Sequence, residues 1–147
     1  MFRKLKFSMR RLLTMANLFE SLADVYGDRE AFVFPRPLDY GRFPGDVLTL
    51  EDCRLFTSQA AEALIDQLDM RKGDRVLLYT SQRSEYLLLA AAVIKAGGII
   101  LPMDPGLAPE EVQRFAQGCW TELAILDSTT VERGLDMIED LPGLRGW

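Results

Sequence analysis

Few residues in this chain could do chemistry, and one type is missing altogether. There is no histidine among the 147 residues. That removes histidine acid–base catalysis, Ser-His-Asp triads and histidine-ligated metals together. Cys53 and Cys119 stand sixty-six positions apart and form no CxxC pair. They read as buried thiols of a protein in a reducing compartment, which places it in the cytoplasm, and not as a zinc site. Hydroxyls cluster at Ser128-Thr129-Thr130, just after a strand-like run. Such a segment can hold phosphate, but a phosphate-cradling loop needs glycines that let successive N–H groups turn inward, and usually a lysine. The next glycine is Gly134 and no lysine follows. Thr129 or Ser128 as a helix N-cap is the better reading. Asp104 follows another strand, at the edge where open α/β sheets bind ligands. Asp104-Pro105-Gly106 is also a favoured turn sequence, and the turn is preferred. Ser81 and Ser84 belong to the same edge with no base in local reach, so neither is expected to act as a nucleophile. Gly97-Gly98 would admit a ligand closely, but it equally suits a helix end packed against a strand. On this reading no catalytic, cofactor-binding or metal-binding residue is assigned.

The elements that would position these residues centre on Gly73–Asp104. Arg75–Thr80 is a short apolar run of strand formers entered through Gly73-Asp74. Ser84-Glu85 supplies an N-cap and an acidic first turn, Lys95 lies in the last turn, and Gly97 offers the left-handed stop. Ile99–Leu101 is a second apolar run, closed by Pro102. A crossover of this length joins parallel neighbours and is right-handed, so a βαβ unit with both strands buried is predicted. Before it, a helix is predicted over Asn17–Tyr26, a strand over Ala31–Phe34, a proline-rich loop over 35–46 and a strand over Val47–Leu50. The two strands could pair as a hairpin across that long loop. A long helix over Glu51–Asp69 places Leu55, Phe56, Gln59, Ala60, Ala63, Leu64 and Leu68 on its apolar face, with Arg54, Glu62 and Asp66 solvated. After the unit come a helix from Pro109 to about Gln117, a strand over Leu123–Leu126 and a helix from Thr130 to about Glu139. The alternation from residue 51 onward predicts an α/β fold, a mainly parallel sheet flanked by helices.

Charge is uneven. Residues 1–14 hold five basic residues and no acid, which leaves twelve basic and twenty-two acidic residues beyond, a formal −10. An acidic body argues against nucleic acid as a partner. Residues 1–14 read as a disordered basic arm, with weak membrane-surface contact as the alternative because Phe2, Leu5, Phe7 and Leu12 alternate with the charges. Met9 and Met15 are alternative starts. Tyr86–Met103 is eighteen residues with a single charge, near the minimum for a membrane span, but Gly97-Gly98 divides it into two pieces too short to cross. The helix within it has another peculiarity. Leu87 to Ile94 point in every direction around the axis, so this helix needs cover on both sides. The sheet supplies one. Nothing else in the chain is obviously free to supply the other, which predicts exposed apolar surface, dye binding or self-association.

The order of motifs resembles the N-terminal part of the AMP-forming adenylate-forming enzymes: acyl-CoA synthetases, luciferase-like ligases and peptide-synthetase adenylation domains. The residues that carry it are Asn17–Glu20 with Ala31, then Leu48-Thr49-Leu50-Glu51-Asp52, Lys72-Gly73-Asp74-Arg75-Val76, and above all Ile94–Pro105. The resemblance covers about residues 17–140, although Leu50 stands where an aromatic is usual. It implies that residues 15–147 form an incomplete N-terminal α/β subdomain and that these motifs are structural. In that family the lysine-containing Gly-rich ATP loop, the Thr-Glu pair near magnesium, the ribose-binding aspartate and the C-terminal lysine come later. No catalytic residue carries over. ATP, Mg and CoA are implied for an intact enzyme and not for this chain, whose expected partner is a downstream subdomain in cis or trans. Three readings stand: a piece of an acyl-CoA ligase involved in fatty acid metabolism, not competent by itself; a non-catalytic interaction module or split-enzyme subunit; and a small α/β nucleotide-binding domain.

Overall fold

The computed structural model describes residues 13–40, 43–81 and 83–147, with the side chains of 36–40, 43, 44, 83 and 84 left aside. The basic arm therefore lies almost wholly outside the described residues. A short 3-10 turn, Met15–Asn17, leads into helix α1, Leu18–Tyr26. Strands β1, Glu30–Tyr40, and β2, Phe43–Thr49, form an antiparallel hairpin. Helix α2 spans Leu50–Leu68. Then follow β3 (Arg75–Tyr79), α3 (Arg83–Lys95), β4 (Ile99–Pro102), α4 (Pro109–Gly118), β5 (Leu123–Leu126) and α5 (Val131–Glu139). Strands β4, β3 and β5 lie in that order, and both pairings are parallel.

The hairpin corrects the predicted loop over 35–46. Both strands run through most of it, with one register shift between Glu30 and Phe32 and another, within this segment, between Val33↔Val47 and Leu38↔Gly45. Pro35 and Pro37 fall inside that shift. In a two-stranded ribbon the outer edge needs no donor, and a bulge removes the rest of the ladder's demand, so proline is tolerated.

Side chains alternate cleanly across the parallel sheet. Leu77, Tyr79 and Ala124 pack with Val112 and Ala116 of α4 and with Met137 and Ile138 of α5. On the other face Val76 and Leu123 meet Ala92 and Val93 of α3 and Leu64 of α2. The sheet is thus the middle layer of three. The expectation that both strands of the βαβ unit are buried holds for β3 alone. Strand β4 is an edge, and Ile99 is 51% exposed.

Helix α3 is covered on both sides, as its all-round apolar sequence requires, but the second cover comes from this chain. Leu88 and Ala91 pack with Phe19 of α1, Phe34 and Leu48 of the hairpin and Cys53 of α2. The expectation of a bare face is overturned, because two short elements that looked peripheral fold into one lid. Lys95 strengthens the junction: its Nζ ion-pairs with Glu20 of α1 and donates to Ser58 Oγ of α2 at 2.7 Å. The membrane alternative fails for a related reason. Tyr86–Met103 is split between α3, a glycine turn and β4, and among the described residues no helix is long and apolar enough to cross a membrane.

The face of α2 is also rotated from the predicted one. Its buried residues are Cys53, Thr57, Ala61 and Leu64. Thr57 can point inward because its hydroxyl donates to the Cys53 carbonyl at 2.8 Å, which satisfies it locally. Both cysteines are free; Cys53 is buried and Cys119 half-buried. Burial pushes the Cys53 thiol up to about 12, so it stays protonated and inert.

Candidate functional site

Parallel strands deliver their following loops to one edge, and here that edge collects Thr80-Ser81 after β3, Met103–Gly106 after β4 and Asp127–Thr130 after β5. Asp127 ties two of these loops together. Its Oδ2 accepts from the Ser81 N–H at 2.6 Å and the Ser81 hydroxyl at 2.7 Å. Its Oδ1 accepts from the N–H groups of Thr129 and Thr130 at 2.9 and 3.0 Å and from the Thr129 hydroxyl at 2.7 Å. Burial alone would raise the Asp127 pKa, but the Thr129 and Ser81 donors outweigh it and hold the carboxyl well below the usual carboxylate range.

This arrangement corrects the N-cap assignment. Neither Ser128 nor Thr129 caps α5; Thr130 occupies the N-cap position without a side-chain cap bond. Asp127, three residues earlier, supplies the acceptor for the free N–H groups of the turn. The Thr130 hydroxyl is turned away to donate to the Tyr79 carbonyl at 2.7 Å, pinning α5 to the end of β3. The Thr129 and Thr130 hydroxyls are thus committed to holding loops.

The other candidates resolve as turns. Gly106 N–H donates to Asp104 Oδ1 at 2.8 Å, and Leu107 N–H to the Asp104 carbonyl at 3.1 Å, so Asp104-Pro105-Gly106 is the turn its composition favours. Gly97 has φ +91. With Gly98 N–H on the Val93 carbonyl and Gly97 N–H on that of Ile94, it ends α3 in a Schellman-type turn. A Cβ at Gly98 would meet Met70 Cε at 2.2 Å, so close packing and not ligand access explains that residue. Ser84 lies among the residues whose side chains are left aside.

Two hollows remain. A cleft of about 360 Å³ between the ends of β3 and β4 is lined by Thr80, Ser81, Tyr86, Met103, Asp104 and Pro105. The Tyr79 hydroxyl donates to the Pro105 carbonyl at 3.4 Å beneath it. Burial raises the Tyr86 phenol, which stays protonated. A second hollow, of about 340 Å³, lies between α2 and the outer side of β5, where Leu64, Leu68, Ile125 and Trp147 give it an apolar wall. Among the described residues no group of acidic or cysteine side chains could hold a metal ion.

The family model described as AMP-binding enzyme matches residues 19–144, nearly the whole described chain. The chain belongs to the AMP-binding enzyme family. The acyl-CoA synthetase-like protein YngI of Bacillus subtilis is 32% identical over 117 residues, covering 78% of this chain and 20% of that protein. Surfactin synthase subunit 1 of the same organism is 29% identical over 126 residues, covering 82% of this chain and 3% of that protein. The crystal structure of a long-chain-fatty-acid-CoA ligase (FadD1) from Archaeoglobus fulgidus superposes with a TM-score of 0.79 at 17% identity, over 91% of this chain and 26% of that one. This chain spans a fifth or less of the two Bacillus relatives. Its parallel sheet flanked by helices is the fold that the AMP-binding family shows in this stretch. Asp127 was missed from sequence. Its signal was present, an Asp three residues before the helix N-cap, but its Ser81 contacts are 46 residues distant and leave no local trace.

Proposed function

We propose that this chain serves as the supporting α/β unit of an AMP-forming acid–thiol ligase in cytoplasmic fatty acid metabolism. The complete enzyme activates a carboxylic acid as acyl-AMP and passes the acyl group to CoA. The observation that carries the proposal is the AMP-binding match along residues 19–144. ATP, Mg and CoA belong to the complete enzyme. The residues present here do not fit a triphosphate. The Thr129 and Thr130 hydroxyls are spent on Asp127 and the Tyr79 carbonyl, and the cleft between the ends of β3 and β4 presents a carboxylate, Asp104, which repels phosphate. The unit would act by holding a downstream subdomain, in cis or in trans. Pyrophosphate exchange measured on the purified chain with fatty, aromatic and amino acids should give background only. Adding the separately expressed remainder of a relative such as YngI should restore acid-dependent exchange. Exchange by the chain alone overturns the supporting role, and failure of every mixture overturns the partner.

A specific observation favours one further reading, a self-standing interaction module of the same fold. The apolar helix α3 is covered within the chain, so the unit does not need a second subdomain to hide it.

A further inference from the structure

Strand β5 is an edge of the parallel sheet, and part of its outer side is already taken. The segment 145–147 passes beside it in the parallel sense, with Gly146 opposite Leu123. The Ala124 N–H donates to the Gly146 carbonyl at 3.1 Å, and the Arg145 N–H to the Glu122 carbonyl at 2.8 Å. The segment is anchored: Arg145 Nη1 donates to the Asp69 carbonyl at 3.0 Å, and its Nη2 ion-pairs with Asp74. In a strand the N–H and C=O of one residue point to the same side, and the side alternates along the chain. Ala124 bonds outward through its N–H, so its carbonyl and the Leu126 N–H face outward as well. Among the described residues no strand pairs with β5 beyond Gly146. The opposite edge, β4, ends in Pro102, which has no N–H to offer. Strand β5 reads Leu-Ala-Ile-Leu and carries neither the proline nor the charge that blunts an exposed edge.

The hollow of about 340 Å³ runs along that same outer side. Ala63, Leu64 and Leu68 of α2, Leu89 of α3 and Ile125 of β5 wall it, and no charged side chain is among its lining residues. A Cβ at Gly146 would stand 3.5 Å from Leu68 Cδ2, so that ladder position faces α2. Side chains of a strand alternate between its two faces. Two positions further along the line of 145–147, a side chain again faces α2, and there it meets the hollow. By the same alternation that position turns its N–H and C=O toward the Ala124 carbonyl and the Leu126 N–H. The edge and the hollow therefore fit one kind of guest, an extended backbone with an apolar residue at every second position. A helix keeps its backbone groups to itself and leaves the edge unpaired. A charged side chain would be desolvated against the apolar walls without a partner.

We propose that the outer edge of β5 is a strand-addition site: an extended apolar segment, supplied in trans by a partner subdomain, adds parallel to β5 in line with 145–147 and seats alternate side chains in the hollow. This rests on the supporting role and names the surface through which the partner is held. The test is a titration of the full 147-residue chain with the capped peptide Thr-Val-Thr-Ile-Thr-Val-Lys-Lys, followed by amide chemical shifts and amide hydrogen exchange. Shifts should saturate at 63–68 and 123–126, and exchange of the Leu126 amide should slow by about tenfold or more. A peptide N-methylated at its valines and isoleucine keeps the side chains and loses the donors to the Ala124 carbonyl; a peptide with serine at those positions keeps the donors and loses the apolar contacts. Neither should protect Leu126. Ala63→Glu puts a carboxylate into the hollow from α2 and should weaken binding by about tenfold or more. Gln67→Glu, on the exposed wall, does so without touching buried packing and should weaken it several-fold. Glu62→Gln, on the solvated face of α2, should bind like the parent. Leu126 left unprotected by the apolar peptide, equal protection by either control peptide, or unchanged affinity in both Ala63→Glu and Gln67→Glu would each overturn the site. So would Leu126 protected without peptide, whether at every concentration, which means the chain covers its own edge, or only at high concentration, which means a second copy does. Pyrophosphate exchange restored in a mixture that leaves Leu126 unprotected overturns this site alone, whereas Leu126 protection without pyrophosphate exchange counts against the supporting role and leaves the strand site standing.

Discussion

Asp127 is the residue on which the carboxyl edge of the sheet depends, and its chemistry sets a pH dependence with a definite sign. Its folded pKa is depressed, so the fold favours the ionised form. The stabilisation is present above the unfolded pKa, about 3.9 for an ordinary aspartate, and is lost as pH falls below it toward the folded value. Asp127→Asn should cost about 1–2 kcal/mol at pH 7, the lower part of the range for charge-assisted bonds because the site is partly solvated. Urea unfolding of both proteins at pH 7, 5 and 3 checks this. The gap should be constant from pH 7 to 5 and narrower at pH 3; a gap that widens in acid contradicts it. The site was half legible for the same reason that Asp127 matters. Hydroxyls at 128–130 and the turn at 104–106 can be read locally. That Asp127 reaches across to Ser81 depends on β3 and β5 being neighbours, which no short window of sequence contains.

Elements were legible where local chemistry and tertiary packing agree. The glycine stop after α3, the proline start of α4 and the short apolar runs of β3, β4 and β5 all stand where turn and cap residues predict. They were misread where context overrides propensity, in the proline-bearing hairpin and in the rotated face of α2. Helix α2 also carries a reciprocal cap. Asp52 N–H donates to Thr49 Oγ1 at 3.1 Å, and Thr49 N–H donates to Asp52 Oδ2 at 2.9 Å. Thr49→Ala should destabilise the chain by about 1 kcal/mol. Adding Asp52→Ala should cost less than its own single-variant value, since both act on one capping box. A thermal-unfolding double-mutant cycle would show this, and strict additivity would contradict it. Gly98→Ala should cost about 1 kcal/mol, because the flexible end of Met70, 2.2 Å from the new Cβ, must move aside while Val93 Cγ1 and the Val93 carbonyl crowd it at 3.0 and 3.2 Å. Pairing it with Met70→Ala should relieve the clash but leave a cavity.

At the scale of the molecule, the decisive arrangement is the two-sided burial of α3. One side is the parallel sheet, and the other is the lid of α1 and the β1–β2 hairpin. Phe19, Phe34 and Leu48 are all buried under that lid. At about 1.5–3 kcal/mol for each large apolar side chain taken out of water, their burial is comparable to the stability of a whole small domain. The lid is therefore part of the fold, although its sequence looks like a loop-rich preface to a βαβ unit. Two forms of the chain test this. The full chain should bind little hydrophobic dye and unfold in one cooperative transition. A version lacking residues 1–48 leaves Leu88 and Ala91 in water, because the partners they lose are Phe19, Phe34 and Leu48. It should bind dye strongly, self-associate in sedimentation, or lose its sharp transition. Phe34→Ala in the full chain is the milder version and should cost about 3–5 kcal/mol. If the shortened chain stays monomeric, dye-silent and cooperative, α3 does not need the lid. The full chain would then owe its order to the sheet alone.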